Sequence, residues 1–114
     1  MEYELLVQDL CKDGETIASE IDGKDAHLLH MVIGICGEAG ELLDAVKKAV
    51  IYRKDIDMEN VIEELGDIEF YLEGLRQGIE VDRMETIFAN KEKLLKRYGN
   101  KYSDEAAQAR ADKQ

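Results

Sequence analysis

The chain has 114 residues, enough for one domain with a modest core. Hydrophobic residues make up 45% and charged residues 36%, and proline is absent, a composition typical of an all-helical protein. The net charge of −11 argues against a nucleic-acid partner, which needs a clustered basic stripe. With two cysteines, no apolar run of membrane-spanning length and an acidic beginning, we expect a cytoplasmic protein with no membrane partner.

Hydrophobic periodicity predicts two helices in the first half of the chain. The first covers about residues 2–20, with apolar side chains at turn spacing, although Gly14 can break it. The second runs from about Asp25 to Tyr52 and is unusually long for a small domain. A polar connection follows and ends at Asp57, which is a candidate N-cap for the next helix.

Two further main helices and a short last one are predicted in the second half. The third helix runs to about Gln77, where Gly78 can terminate it. Asp82 and Glu85 resemble a capping box for a fourth helix that ends at Gly99. A short C-terminal helix can follow Ser103. Because the sequence contains no linker and no internal repeat, we expect one domain over residues 1–114, folded as a helical bundle.

The segment GICGEAGELLDAVKK combines glycines with carboxylates inside an apolar helix. On a helical wheel, Glu38 and Glu41 share one stripe with Gly34 and Ala45, small residues that leave space around the two acids. Asp44 lies roughly 120° to 180° from this pair and is expected to face solvent. Two acids on a stripe that faces a core need a partner, because an unpaired buried charge is costly.

The third helix repeats the arrangement in ENVIEELGDIEFYLEGL. Glu64 and Asp67 are three residues apart on one face, with Gly66 beside them. Two like-charged pairs on facing helices repel each other unless a cation lies between them. Mg²⁺ is a hard cation that takes carboxylate oxygens and leaves positions for phosphate, so the sequence predicts a magnesium site, with Mn²⁺ as a substitute.

The acidic residues and the neighbouring motifs also allow other interpretations. The acids can be surface groups paired with lysines. A di-iron bundle needs Glu-x-x-His motifs, and no histidine follows a glutamate by three residues. His27 and His30 are too few ligands for zinc, and His27 is expected to be a bundle histidine. A further stripe on the fourth helix consists of Asn90, Lys93 and Arg97, which can bind ligand oxygens or balance an acidic protein.

The motifs GEAGELLDAVKK, IEELGDIEFYLEGLRQ and NKEKLLKRY together resemble the MazG-like all-α nucleoside triphosphate pyrophosphohydrolases. The similarity runs from about His27 to Asp112. It implies that the Mg²⁺ ligands, which are also the catalytic acids, are Glu38, Glu41, Glu64 and Asp67. It implies that the nucleotide is contacted by Asn90 and Lys93, with Lys48, Arg97 and Tyr98 as further candidates. A glycine and an asparagine follow Tyr98 where many relatives carry proline.

The resemblance also implies an activity. The expected substrate is a nucleoside triphosphate, cleaved to the monophosphate and pyrophosphate in the cleaning or balancing of a nucleotide pool. Glu41, in preference to Glu38, is expected to position or deprotonate the attacking water. Two alternatives are the hydrolysis of phosphoribosyl-ATP and a catalytically silent helical module for oligomerisation or binding.

The length of the second helix predicts an oligomer. The helix spans roughly 40 Å at 1.5 Å per residue and is apolar on more than one side. Short neighbours in a chain of 114 residues are too few to cover such a rod. We therefore expect a homodimer or a homotetramer whose interface includes this helix, and the resemblance implies that partner helices help to build each site.

Overall fold

The computed structural model of the chain describes residues 2–99, and every regular element in that range is an α-helix. The predicted all-helical class is confirmed, whereas the short helix predicted after Ser103 lies outside the described residues. The helices are α1 (Tyr3–Leu10), α2 (Gly14–Glu20), α3 (Gly23–Ile51), α4 (Met58–Gly78) and α5 (Arg83–Tyr98).

The helix predicted over residues 2–20 is interrupted near Gly14, where a break was allowed, and the segment forms two short helices, α1 and α2. The second of them starts at Gly14, immediately after Asp13. The carboxylate of Asp13 accepts a hydrogen bond from the backbone N–H of Thr16 at 3.1 Å. A side-chain acceptor at this position satisfies one of the unpaired amides of a helix start. Asp13 therefore favours a new helix at the point where the apolar periodicity alone predicts continuation.

Local capping sets the boundaries of the longer helices. Asp22 and Asp25 cap the start of α3 reciprocally, each carboxylate accepting from the other residue's backbone N–H at 2.9 and 3.1 Å. The predicted N-cap Asp57 is confirmed, since its carboxylate accepts from the backbone N–H of Asn60 at 3.1 Å. α4 ends at Gly78 and α5 ends before Gly99, as the glycines predict.

The two long helices, α3 and α4, form an antiparallel hairpin, the one helix pair with extensive packing between residues 2 and 99. Glycines allow their close approach. The ring of Tyr71 lies against Gly34 and the sulfur of Met31 lies against Gly74, so that a Cβ atom at either glycine would collide with the side chain opposite. His27 is satisfied as expected, with its Nε2 atom 2.9 Å from the carbonyl oxygen of Gly74. Close helix spacing then determines which polar groups meet across the hairpin.

One chain leaves most of its apolar surface uncovered. Met31 and Ala49 are the only buried apolar residues in the described part of the chain. Large apolar side chains are exposed along α3, namely Leu29, Ile33, Leu43 and Val50. Between residues 2 and 99, no helix is both long enough and apolar enough to cross a membrane.

The two kinds of glycine in the hairpin predict opposite effects of an added methyl group. Gly34→Ala should lower the free energy of unfolding by about 1–3 kcal/mol, because its Cβ atom would push the Tyr71 ring away. Gly66→Ala is the matched control, since a Cβ atom there meets nothing within 4 Å, and it should raise stability by about 0.5–1 kcal/mol through helix propensity. Urea unfolding of both variants measures the difference. A loss of stability of equal size in both would contradict this account of the helix spacing.

Candidate metal centre

The hairpin brings three of the four predicted metal ligands together. Glu38 and Glu41 lie on consecutive turns of α3, and Glu64 faces them from α4. One oxygen atom from each of these carboxylates lies within 4.8 Å of the other two. Because no cationic side chain is paired with any of them in residues 2–99, the cluster concentrates negative charge at one point of the hairpin.

Burial distinguishes this cluster from ordinary surface acids. Glu64 is 7% exposed and is the one buried charged residue of the described range. Its Oε2 atom and the Oε2 atom of Glu38 are both buried without a hydrogen-bond partner. A carboxylate oxygen removed from water without a donor is strongly destabilising unless a proton or a cation compensates it. These two oxygen atoms, with the hard oxygen donors around them, fit a divalent cation such as Mg²⁺.

The electrostatics of the cluster agree with its geometry. The pKa of Glu64 is raised to about 7, chiefly because the protonated carboxyl can share a hydrogen bond with Glu38. Burial and the negative charge of Glu41 raise the pKa of Glu64 further. Without a metal ion, Glu64 therefore keeps its proton until the pH rises to about 7, and below that pH a metal ion has to displace the proton in order to bind.

A cavity of about 430 Å³ opens beside the cluster and gives access to it. Gly37 and Gly40 lie on the α3 side of this cavity, and a Cβ atom at either would meet nothing within 4 Å. The space is therefore open above the carboxylates and can admit an ion, its waters and a phosphate group. The lining residues are Gly37, Gly40, Glu41, Asp44, Asn60 and Glu64.

Asp44 faces solvent as predicted, but its place beside the metal-ligand candidates was not predicted. It is exposed, but it lines the same cavity as Glu41 and Glu64. Its carboxylate accepts a hydrogen bond from the ammonium of Lys48 at 2.9 Å, which lowers the pKa of Asp44 and raises the pKa of Lys48. The spacing itself carried a signal, because Glu38, Glu41 and Asp44 follow one another at intervals of three residues, which drift by only about 60° per step around a helix.

The other predicted site residues lie further from the three acids. Asp67 is one turn beyond Glu64 on α4 and is exposed, and it does not belong to the group within 4.8 Å. Lys48 lies at the C-terminal end of α3, paired with Asp44. The remaining candidates are on α5, which packs little against the hairpin, and none of them lines the carboxylate cavity; they are Asn90, Lys93, Arg97 and Tyr98.

An aromatic group borders the carboxylates on the other side along the hairpin. Tyr71, one turn after Asp67, makes edge contacts with His30 at 6.1 Å and with Phe70 at 5.1 Å between ring centroids. The contact of Tyr71 with Gly34 depends on the packing of the two helices, so the pattern of a single helix cannot predict it. Comparisons with protein-family models, with curated proteins and with solved structures found no match for the chain.

The raised pKa of Glu64 predicts how the stability of the metal-free protein depends on pH. Between 4.5, the ordinary glutamate pKa, and about 7, the folded state binds a proton that the unfolded state has lost. The stabilisation is present at the acidic end of this window and disappears as the pH rises through it. Thermal unfolding with a chelator from about pH 5 to about pH 8 should therefore show a falling Tm.

Glu64→Gln is the variant that isolates this contribution. Its amide keeps a hydrogen-bond donor opposite Glu38 but does not titrate, so the decline in Tm over the same pH range should become shallower. Identical pH profiles for the wild type and this variant would show that Glu64 does not carry the proton.

Proposed function

We propose that the chain is a Mg²⁺-dependent nucleoside triphosphate pyrophosphohydrolase of the MazG-like type. It cleaves a ribo- or deoxyribonucleoside triphosphate to the monophosphate and pyrophosphate, and its role is to clean or balance a nucleotide pool. The observation that carries the proposal is the pair of buried, partnerless oxygen atoms of Glu38 and Glu64 beside an open cavity. The resemblance of the three motifs to the MazG-like enzymes supports the choice of reaction.

Four carboxylates from α3 and α4 would coordinate the metal ion. Glu38 and Glu64 would hold it from opposite helices, Glu41 would complete the group, and Asp67 would contribute from the next turn of α4. A bound Mg²⁺ or Mn²⁺ supplies Lewis acidity at the α-phosphoryl group and neutralises the departing pyrophosphate. Since a hard cation prefers carboxylate oxygens, this donor set suits either ion.

Glu41 is suited to activate the water. It is exposed and lines the cavity, whereas Glu64 is buried, so that Glu41 is the acid that an incoming water reaches. Water attacks the α-phosphorus atom, the bond from that atom to the oxygen bridging the α- and β-phosphates breaks, and pyrophosphate leaves. Glu41 accepts the proton of the attacking water.

The proposed enzyme works as a homodimer or a homotetramer. Support comes from the apolar side chains of α3, of which Leu43 is 68% exposed, and from the small core of a single chain. Burial of this surface requires further helices, and a second copy of the hairpin offers them. The proposed substrate-binding residues of α5, Asn90 and Lys93, would then approach a carboxylate cavity in the assembly.

A silent oligomerisation module is the second candidate, favoured by the same exposed apolar surface. A silent module does not explain why three carboxylates lie together without a cation. Such a cluster lowers the stability of the fold and does not strengthen an interface. Hydrolysis of phosphoribosyl-ATP is the alternative within the enzyme class. A calorimetric titration with Mg²⁺ and a non-hydrolysable nucleotide separates the module from both enzymes, since a module should show no metal-dependent binding.

Removal of any one metal ligand should abolish the activity. Alanine at Glu38, Glu41, Glu64 or Asp67 should reduce pyrophosphate release from triphosphates by about 100-fold or more, because the ion loses a ligand and with it the charge that the reaction needs. The gain in Tm on adding Mg²⁺ should shrink in all four variants. At about pH 8, where the pKa of Glu64 leaves it ionised, the metal-free variants should unfold at or above the wild-type temperature, since each loses one of several mutually repelling charges.

Glu63→Ala is the matched control for these variants. It removes the same charge from the residue next to Glu64, but Glu63 is exposed and does not line the cavity. Its rate and its Mg²⁺ response should stay near those of the wild type. Orthophosphate as the sole direct product would contradict the reaction, and active but destabilised Glu38 and Glu64 variants would show the acids to be structural.

The oligomer is tested by sedimentation at micromolar concentration. The wild type should sediment as a dimer or a tetramer, and Leu43→Arg should shift it towards the monomer, because a charge on the exposed apolar face of α3 resists burial. Lys47→Glu, an equally drastic change at a polar position of the same helix, should leave the assembly in place. A fully active wild-type monomer would rule out an obligate oligomer.

A further inference from the structure

A second cavity, of about 270 Å³, lies at the end of the hairpin where α3 passes into α4. It shares Asn60 with the carboxylate cavity, so that the two spaces adjoin. Its lining differs in character, because it contains two lysines in place of the glutamates. The lining residues are Ala45, Lys48, Ala49, Lys54, Asp55, Asp57 and Asn60.

The end of α3 fixes the position of Lys54 through the backbone. Arg53 adopts a left-handed conformation with φ of 56°, and the backbone N–H of Lys54 then donates to the carbonyl oxygen of Ala49 at 2.9 Å. This is the hydrogen bond of a Schellman helix end, in which glycine usually occupies the left-handed position. The chain accepts the steric strain of an arginine there, and the turn brings Lys54 back beside Lys48.

Lys54 is the cation of this cavity that can accept an anionic ligand. Lys48 is already paired with Asp44 at 2.9 Å, whereas Lys54 forms no ion pair with any residue between 2 and 99. The carboxylate of Asp57 caps α4, because it accepts a hydrogen bond from the backbone N–H of Asn60. Because Asp55 and Asp57 balance the two lysines in charge, the cavity favours an anion that arrives together with a metal ion over a free one.

The two ends of the α3–α4 hairpin differ in the polarity of their side chains. On one side of the carboxylates lie Gly34, Tyr71 and Phe70, which offer aromatic and apolar surface. On the other side lie Lys48 and Lys54. At the lysine end, a polyphosphate that is anchored by a metal ion at the carboxylates can reach the ammonium of Lys54, which has no ion pair with any residue between 2 and 99, whereas Tyr71 and Phe70 offer it no cation.

We infer that the cavity formed by Lys48, Lys54 and Asn60 binds the pyrophosphate portion of the substrate, and that Lys54 is the residue that holds the departing pyrophosphate. The inference rests on the proposed function and adds to it the direction of the substrate along the hairpin. The α-phosphoryl group lies at the metal ligands and the β- and γ-phosphates extend towards the loop between α3 and α4. Lys54 acts as a point charge on the phosphate oxygens, as lysine commonly does.

Calorimetric titration of the full chain with inorganic pyrophosphate and Mg²⁺ tests the site directly. Lys54→Gln should weaken pyrophosphate binding by about tenfold through the loss of one charge-assisted hydrogen bond. Arg53→Gln is the matched control, since it removes the same charge from the adjacent residue, which does not line the cavity. Binding of a nucleoside monophosphate with Mg²⁺ should be the same in Lys54→Gln as in the wild type.

Three results would overturn the inference. They are a wild type that does not bind pyrophosphate, a Lys54→Gln variant that binds it normally, and an equal loss in the Arg53 and Lys54 variants, which would indicate a general effect of net charge. A separate assay of pyrophosphate release from triphosphates by the wild type tests the reaction itself. Hydrolysis with normal pyrophosphate binding in Lys54→Gln would overturn the inference alone. Lys54-dependent binding without hydrolysis would support the anion site and overturn the enzyme.

Discussion

The contact between Glu38 and Glu64 across the α3–α4 hairpin is the constraint on which the rest of the site depends. Each residue has one carboxylate oxygen that is buried without a hydrogen-bond partner, an arrangement that is unstable unless a proton or a cation compensates it. The glycine contacts elsewhere in the hairpin hold the helices close, so the acids cannot move apart without loss of that packing. The pKa of Glu64, raised to about 7, is a direct consequence of this enforced proximity.

The same hairpin explains why one chain does not form a closed domain. α3 uses one side to pack against α4, and its other sides remain apolar and exposed, with Ile33 59% and Leu43 68% accessible. A helix with more than one apolar face needs neighbours on each of them. The short helices α1 and α2 and the helix α5 pack little against the hairpin. The homodimer or homotetramer proposed above would supply such neighbours.

Sequence patterns predicted the parts of the structure that depend on neighbouring residues. The caps at Asp57 and Glu85 and the end at Gly78 follow from hydrogen bonds over three or four residues, and these predictions are confirmed. The stripe that joins Glu38 to Glu41 is equally local, and α4 does bring Glu64 to it.

The features that the sequence did not reveal depend on contacts between helices or on competing local signals. Gly34 was expected to make room for the acids, but it makes room for Tyr71, which no single-helix pattern can show. Asp44 is exposed, as its angle on the wheel predicted, but its place in the lining of the carboxylate cavity depends on both helices and was not predicted. The break before α2 was allowed for at Gly14, but its cause, the Asp13 cap, was not identified because the apolar periodicity continues through this segment.

Aromatic, acidic and basic side chains follow one another along the α3–α4 hairpin, and their order relates the local features to the proposed reaction. Aromatic surface at Tyr71, acids at Glu38 and Glu64, and amines at Lys48 and Lys54 succeed one another over the length of the hairpin. In the proposed function, a metal ion would replace the proton that Glu64 holds below about pH 7, and it would place phosphate within reach of Lys54 rather than of the aromatic side. Repulsion between the carboxylates destabilises the metal-free fold. A bound metal ion would remove this repulsion and would provide positive charge for the phosphate groups of a polyphosphate.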